Sequence, residues 1–344
     1  MSRRRPSIED IAQAAGVANS TVSRALRDSP LISADMRAQI HHLAREMGYT
    51  PNGIAQSLQT RRTNTIGLVV TSIADPFFAD VAKGVEDGAY AAGFSVFLST
   101  SHSDPAQEMA VIETFQHRRV DGIIVADSRI SSSHTQWLLR AAVPTVLINS
   151  QAEDPSNVLY SVAVDDYYGA RLAVEHLLQL GHRAIGYLGA GNRPKSNRQR
   201  LAGYCDALAA AGVQADAAWV AIAPAEDTRH EGDVEAGQAL LPQPLGAGVS
   251  AIFCYNDTIA IGALMACRER GVAVPQQLSV VGFDDIAMSL YVTPALTTIR
   301  QPKMQLGCVA MQMILDLLDN RPVQNHLIRP TLVPRASSTS WPPG

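Results

Sequence analysis

The chain has 344 residues, 47% hydrophobic and 17% charged, which is enough for two or three packed domains and excludes a disordered chain. No apolar run reaches membrane-spanning length, and the first residues lack the apolar core of a signal peptide, so a cytoplasmic protein is expected. The net charge of −4 argues against a nucleic-acid partner, but its distribution reverses that: residues 1–62 hold nine arginines against five acids (+4), and the remainder 19 basic against 27 acidic residues (−8). Four scattered cysteines (Cys205, Cys254, Cys267, Cys308) have no metal-ligand spacing, so buried thiols and neither metal nor cofactor are expected.

In chain order, Ile8, Ile11, Ala12 and Ala15 fall at the spacing of one apolar helix stripe, and Gly16 ends that helix. Val17 sits in the turn. In the next helix Val22, Ala25 and Leu26 face inward, leaving Ser20, Thr21, Arg24 and Arg27 outside. Two short helices joined by a tight turn, the second with a hydroxyl- and arginine-bearing face, read as a helix-turn-helix that can enter the major groove. A plain helical hairpin with a solvated face is the alternative, and the next stretch decides against it. A third helix runs from Ser33, its N-cap, to Met47, with Ile40, Leu43, Ala44 and Met47 closing a three-helix core. After Gly48-Tyr49-Thr50, Pro51 can open a short helix in which Ile54, Ala55 and Leu58 share a face. That helix is too short to be stable alone and should form only when something packs on it.

The order Ile8-x-Asp10-Ile11-Ala12-x-x-Ala15-Gly16-Val17, then Thr21-Val22-Ser23-Arg24-Ala25-Leu26, then Gly48-Tyr49-x-Pro51-Asn52 and Ser57-Leu58 resembles the lactose-repressor/purine-repressor family. The likeness extends through nearly the whole chain. It implies a DNA-binding headpiece (1–50), a hinge helix with linker (51–62) and an effector-binding core (63–344) of periplasmic-binding-protein type. By this resemblance Asn19, Ser20 and Arg24 face the major groove and Leu58 is wedged into the minor groove. The DNA-binding set also takes in Thr21, Arg27, Tyr49, Asn52, Ile54 and Ala55. Two departures stand out. Ala18 occupies the place of the family's usual Ser N-cap, so Asn19 or Ser20 is expected to cap and shift the helix start. Gln56 and Gln59 replace residues that are often basic, which should weaken hinge contacts to phosphate.

Beyond Arg62 the pattern alternates strand and helix. Strands are predicted at 65–70, 94–98, 122–125, 145–148 and 161–164, then at 184–188, 219–222, 251–254 and 279–283. Helices are predicted over 78–92, 106–116, near Trp137, 168–180, 198–211, 237–241, 258–270 and 303–319. Continuous apolar strands between helices indicate parallel sheets covered on both faces, here two doubly wound lobes in succession. The stretch Thr293-Pro294-Ala295-Leu296-Thr297-Thr298-Ile299 reads as a crossover back into the first lobe, and 327–333 as one last strand in the second. The expected lobes are 63–162 with 296–325, and 163–292 with 326–340.

Ligands of open parallel sheets bind at the carboxyl ends of the strands. Those ends carry carboxylates, amides, one arginine and a phenylalanine pair, which suits a small polyhydroxyl ligand. The candidates are Phe77, Phe78, Asp127, Asn149, Arg200, Asp257 and Asp284. By the family resemblance Arg200, before Leu201-Ala202-Gly203-Tyr204, anchors the effector, and Phe78, Asn149, Asp257 and Asp284 match other cleft positions. Plainer roles stand beside these. One phenylalanine of the pair is expected in the core, Asp257 can be a helix N-cap, and Asp284 can serve a turn.

Gly189-Ala190-Gly191 after a strand invites a dinucleotide reading, but Pro194 replaces the third glycine. No Ser-His-Asp order or phosphate loop appears, and His41, His42 and His182 look like surface helix positions. The expectation is therefore a non-enzymatic, sequence-specific transcription regulator, a repressor, binding operator DNA as a homodimer. A sugar or sugar derivative between the lobes controls it, with a sugar acid or a purine as the other candidates. A sugar-binding module without DNA function is the competing reading.

Overall fold

Ser7 opens the first helix with a capping box, its hydroxyl accepting from Asp10 N while the Asp10 carboxylate accepts from Ser7 N at 2.7 Å. The computed structural model describes residues 6–49, 62–129, 143–150, 159–224 and 233–341. The hinge candidates Asn52, Ile54, Ala55 and Leu58, the helix expected near Trp137 and residues 225–232 lie outside that set. The chain divides into two units, Met1–Thr63 and Asn64–Gly344.

In the first unit α1 (Ile8–Ala15), α2 (Asn19–Ala25) and α3 (Ala34–Glu46) surround a core of Ile11, Ala12, Val22, Ala25, Ile40 and Ala44. Gly16 closes α1 in the left-handed conformation at φ 66°, which lets the chain turn within three residues into α2. Ser33 caps α3 through Met36 N, as its position suggests. The start of α2 differs from the expected shift. Neither Asn19 nor Ser20 caps it; Ala18 is the N-cap residue and has no side chain with which to cap.

The second unit holds two six-stranded sheets. The first has the order β11-β5-β4-β3-β1-β2, built from β1 (Thr65–Val70), β2 (Ser95–Thr100), β3 (Gly122–Ala126), β4 (Thr145–Ile148), β5 (Tyr160–Val164) and β11 (His326–Ile328), all parallel. The second has the order β12-β10-β9-β8-β6-β7, built from β6 (Ile185–Ala190), β7 (Val220–Ala223), β8 (Ala251–Cys254), β9 (Ser279–Asp284), β10 (Thr297–Arg300) and β12 (Thr331–Val333), with only β12 antiparallel to its neighbour. Central strands β3, β4, β6, β8 and β9 are buried along their whole length, as covered parallel sheets require. Two covering helices, Asp233–Leu240 and Asp257–Glu269, approach so closely at Gly237 and Gly262 that a Cβ on either would strike the other's backbone.

Three sequence expectations need correction. Residues 297–300 are a strand of the second sheet, beside β9, so the crossing to the first lobe falls at Gln301-Pro302. The predicted last strand is two: 326–328 pairs with β5 in the first lobe, and only 331–333 returns to the second. The lobes are thus joined by three short links, at residue 165, at 301–302 and at 329–330. His182 is no surface residue; the left-handed Gly181 turns it inward, where it is fully buried against Ser250 Oγ at 2.8 Å and Thr339 O at 3.1 Å. Burial lowers its pKa, so the ring is neutral near pH 7.

The uncapped start of α2 gives a direct prediction. Ala18→Ser should stabilise the headpiece by ~0.5–2 kcal/mol. Amide exchange of residues 19–25 in the full chain measures it, and unchanged protection would show that those amides already have partners.

Candidate functional site

Two surfaces carry the candidate residues. On the headpiece, Asn19, Ser20 and Arg24 are exposed on α2, with Thr21 half-buried, and Arg27 is exposed just past its end. Arg27 folds back on α2, donating from Nε to Ser23 O at 2.9 Å and from Nη2 to Ser23 Oγ at 3.1 Å. Tyr49 packs against the headpiece core.

In the second unit the carboxyl ends of the two sheets border one cleft with about 450 Å³ of empty space, part of it open to solvent. The first lobe contributes Phe77 and Phe78 from the start of the helix Pro76–Ala91. Both are buried and both line the cleft, edge to face at 5.2 Å between ring centroids, so wall and core are the same residues. Asp75 caps that helix, accepting from Phe77 N at 3.0 Å. Asp127 and Asn149 end β3 and β4 with left-handed backbones, φ 56° and 48°, which Asp and Asn tolerate better than most residues. The turn after Asp127 is held from behind by buried Glu108, which accepts from Ser128 Oγ at 2.5 Å and Arg129 N at 3.0 Å.

From the second lobe, Arg200 rises out of the helix Pro194–Ala210, whose early start at Pro194 also brings in Ser196. Its Nε and Nη2 both donate to Asp166 Oδ1, at 2.8 and 2.7 Å, and Nη1 donates to the Tyr255 carbonyl. The guanidinium centre lies 3.6 Å from the Phe283 ring centroid and 4.3 Å from that of Tyr255. Burial alone would lower its pKa; the Asp166 field overrides this, and Arg200 stays charged. Arg193 reaches across the cleft. It pairs with Asp233 at 2.9 Å in its own lobe, and with Asp75 at 3.2 Å and Asp127 at 3.8 Å in the other.

Asp284 ends β9 at φ 117°, lines the cleft and accepts from Gln301 Nε2. Burial pushes its carboxyl up to about 8, against the pull of Arg200 and with Asp257 adding to the rise. Asp257 is placed differently. Fully buried, it accepts from Ile286 N at 2.9 Å, Ser289 Oγ at 2.6 Å and Thr298 Oγ1, and it does not line the cleft. Nor is it the N-cap; Asn256 is, accepting from Ile259 N at 2.8 Å. Its role is to tie the helix start to β10 and the turn after β9.

The cleft therefore gathers Phe77, Phe78, Asp127, Asn149, Arg200 and Asp284, and omits Asp257. Sequence reasoning missed Asp75, Asp166, Arg193, Ser196, Tyr255 and Gln301 as site residues. Asp75 was detectable as an Asp-Pro helix start; the others have partners far along the chain. Gly189 has a packing role in place of a phosphate role: a Cβ there would press on Asn197 Oδ1, which accepts from Tyr187 OH at 2.8 Å and Ala190 N at 3.2 Å.

Two predictions follow from these charges. Asp284 has a folded-state pKa above its ordinary 3.8, so the stability linked to its protonated form is complete below pH 4 and is lost as pH rises through about 8. Asp284→Asn removes that loss. Its melting-temperature advantage over the parent should grow between pH 5 and 9 by at least ~2 °C, about what 1 kcal/mol gives at this size; a constant difference would contradict the assignment. Arg200→Ala should destabilise the core by ~3–5 kcal/mol in urea unfolding, because it leaves buried Asp166 unpaired. Substitution of Asp166 by Asn in the same chain should recover part of that loss.

Comparison with known proteins places these surfaces. Residues 7–52 match the family described as bacterial regulatory proteins, lacI family, and residues 174–338 match a periplasmic binding protein-like domain. The chain is 36% identical over 334 residues to the HTH-type transcriptional regulator GalR of Escherichia coli (strain K12), covering 96% of this chain and 95% of that protein. It is 35% identical over 338 residues to the ribose operon repressor of Haemophilus influenzae, covering 96% and 98%. Among solved structures it is similar to the lac repressor dimer bound to operator and the anti-inducer ONPF, with TM-score 0.86, 28% identity and coverage of 98% and 100%.

Proposed function

Because the chain belongs to the lacI family of bacterial regulatory proteins, we propose that it represses transcription from an operator whose affinity is set by a small sugar-like effector in the interlobe cleft. It is a DNA-binding transcription regulator; a sugar-binding module without DNA function is disfavoured by the helix-turn-helix match at residues 7–52. The observation that carries the effector half is the cleft itself. One carboxylate and two amides at strand ends (Asp127, Asn149, Asn256) offer acceptors and donors to hydroxyls, and the Phe77-Phe78 wall suits a sugar's apolar face. The relative named as the ribose operon repressor supports a sugar. Operators read by a single small headpiece offer few contacts, so a homodimer on a two-fold site is the working form. No described helix is long and apolar enough to cross a membrane. We place the protein in the cytoplasm and assign it no enzymatic role.

In the headpiece, Asn19, Ser20 and Arg24 read bases, and Arg3, Arg4, Arg5, Arg61 and Arg62 supply affinity for phosphate. Residues 51–60 act as the hinge segment, with Leu58 as the minor-groove contact. Effector binding changes the disposition of the two first lobes in the dimer and with it the spacing of these hinges, and linkage requires the operator to alter effector affinity by the same factor.

The test begins with an operator selected from random duplexes. Arg24→Ala should cost about 1–3 kcal/mol at one base position and leave binding to random DNA unchanged. Equal losses on both would remove Arg24 from base reading. In the same anisotropy assay, a sugar that binds the parent should shift operator affinity, and Asn149→Ala should weaken that shift without altering sugar-free binding. A bound sugar with no effect on operator affinity would refute the effector half.

A further inference from the structure

The charges of the cleft constrain what it can hold more tightly than its shape does. Two guanidiniums line it, and arginine is the usual means of holding carboxylate or phosphate because its fork matches two oxygens at once. Both are already engaged by groups of the protein. Arg200 spends Nε and Nη2 on Asp166 and Nη1 on the Tyr255 carbonyl, with aromatic rings against the guanidinium. Arg193 is ringed by the carboxylates of Asp233, Asp75 and Asp127.

The other device for anions is a helix N-terminus with unbonded amides. Among the described residues, four helices carry a lining residue at the cap or in the first turn, and three of them are capped from within. Asp75 accepts from Phe77 N, Asp165 from Tyr168 N at 2.9 Å, and Asn256 from Ile259 N. The fourth begins with Pro194, which has no amide hydrogen, directly after Arg193 and its carboxylates. Asp284 is protonated near neutral pH, and the lining carboxylates of Asp75, Asp127 and Asp166, with Asp233 on Arg193, face the two lining arginines, a formal surplus of two negative charges. An arriving anion would have to displace a protein carboxylate from Arg193 and then sit beside the displaced group and its neighbours in a partly dry site, where like charges repel most strongly.

We propose that the cleft excludes anions, so that the effector is an uncharged polyhydroxyl compound and not a sugar acid, a sugar phosphate or a nucleotide. Arg193 with its three carboxylates is the specificity-determining group. It holds carboxylate acceptors in place for a hydroxyl ligand. This rests on reading the cleft as the effector site.

The experiment uses the full chain without DNA and titrates inorganic phosphate, glucose 6-phosphate and galacturonate at constant ionic strength, by calorimetry and thermal shift. Glucose and galactose serve as the uncharged parents. The wild type should show no saturable binding of any of the three anions. Asp75→Asn with Asp127→Asn keeps the helix cap, since Asn caps as well as Asp, and unlocks Arg193. That variant should gain phosphate or glucose 6-phosphate binding of about tenfold or more over wild type.

Saturable anion binding by the wild type that is lost in Arg193→Met would overturn the proposal, as would tighter binding of galacturonate than of galactose. A correctly folded double variant that still refuses every anion would overturn the assignment to Arg193. Failure of the effector reading looks different: uncharged sugars would bind without altering operator affinity, while the wild type still refused anions.

Discussion

Two opposite charges 2.7 Å apart, those of Arg200 and Asp166, hold the floor of the second lobe, and the residues around them are arranged to make that burial tolerable. Taking both ions out of water costs several kcal/mol each, which a single contact does not recover. Here Asp166 receives two of the guanidinium's donors, the Tyr255 carbonyl receives a third, and the rings of Phe283 and Tyr255 cover the flat faces of the cation. Asp166 opens the first helix after the chain passes from β5 into the second lobe, and Arg200 lies on the next helix. The ion pair therefore locks the entry of the lobe to its cleft. It also means that Arg200 shapes the site more than it waits in it for a ligand.

The same economy governs the crossings. Lys303, at the start of the helix Lys303–Leu318, donates to the carbonyls of Asp284 and Asp285 at 2.7 Å each and stands 3.5 Å from Asp80 on the Phe77-Phe78 helix. Asp285 turns away from the cleft and bonds Arg300 at 2.6 Å and Arg335. One lysine thus connects the cleft end of β9 to the helix bearing the aromatic wall of the opposite lobe. A ligand that moves Asp284 acts on the first lobe through hydrogen bonds of defined direction, the kind of element through which a binding energy can be transmitted.

Much of this was legible in the sequence. The stops at Gly16 and Ser33 are local chemistry, and apolar runs such as Gly122-Ile123-Ile124-Val125 can hardly be anything but covered strands. Arg200 was found through family likeness. What escaped depends on partners remote in sequence. Thr297-Thr298-Ile299-Arg300 looks like a polar connector, yet Thr297 and Thr298 are fully buried because Ser337, Arg335, Ser338 and Asp257 meet their polar atoms. Arg193 reads as a loop arginine until Asp75 and Asp127, from the other lobe, come within reach. Asp257 misled in the opposite sense: its family position suggested a ligand, and three internal donors claim it.

The split of the final strand has a consequence for how the molecule comes into being. β11 completes the edge of the first sheet against β5, and two residues later β12 completes the edge of the second against β10. The residues after β12 add further closures: Ser337 bonds Val280 in both directions, Thr339 O meets His182, and Trp341 N donates to Leu180 O at 2.7 Å. During synthesis, then, neither lobe can reach its final form before residues 326–341 are available, although the headpiece core closes within the first fifty residues. Such long-range closure is slow and leaves open sheet edges exposed meanwhile. A growing chain would present a folded DNA-reading head well before it owned a cleft.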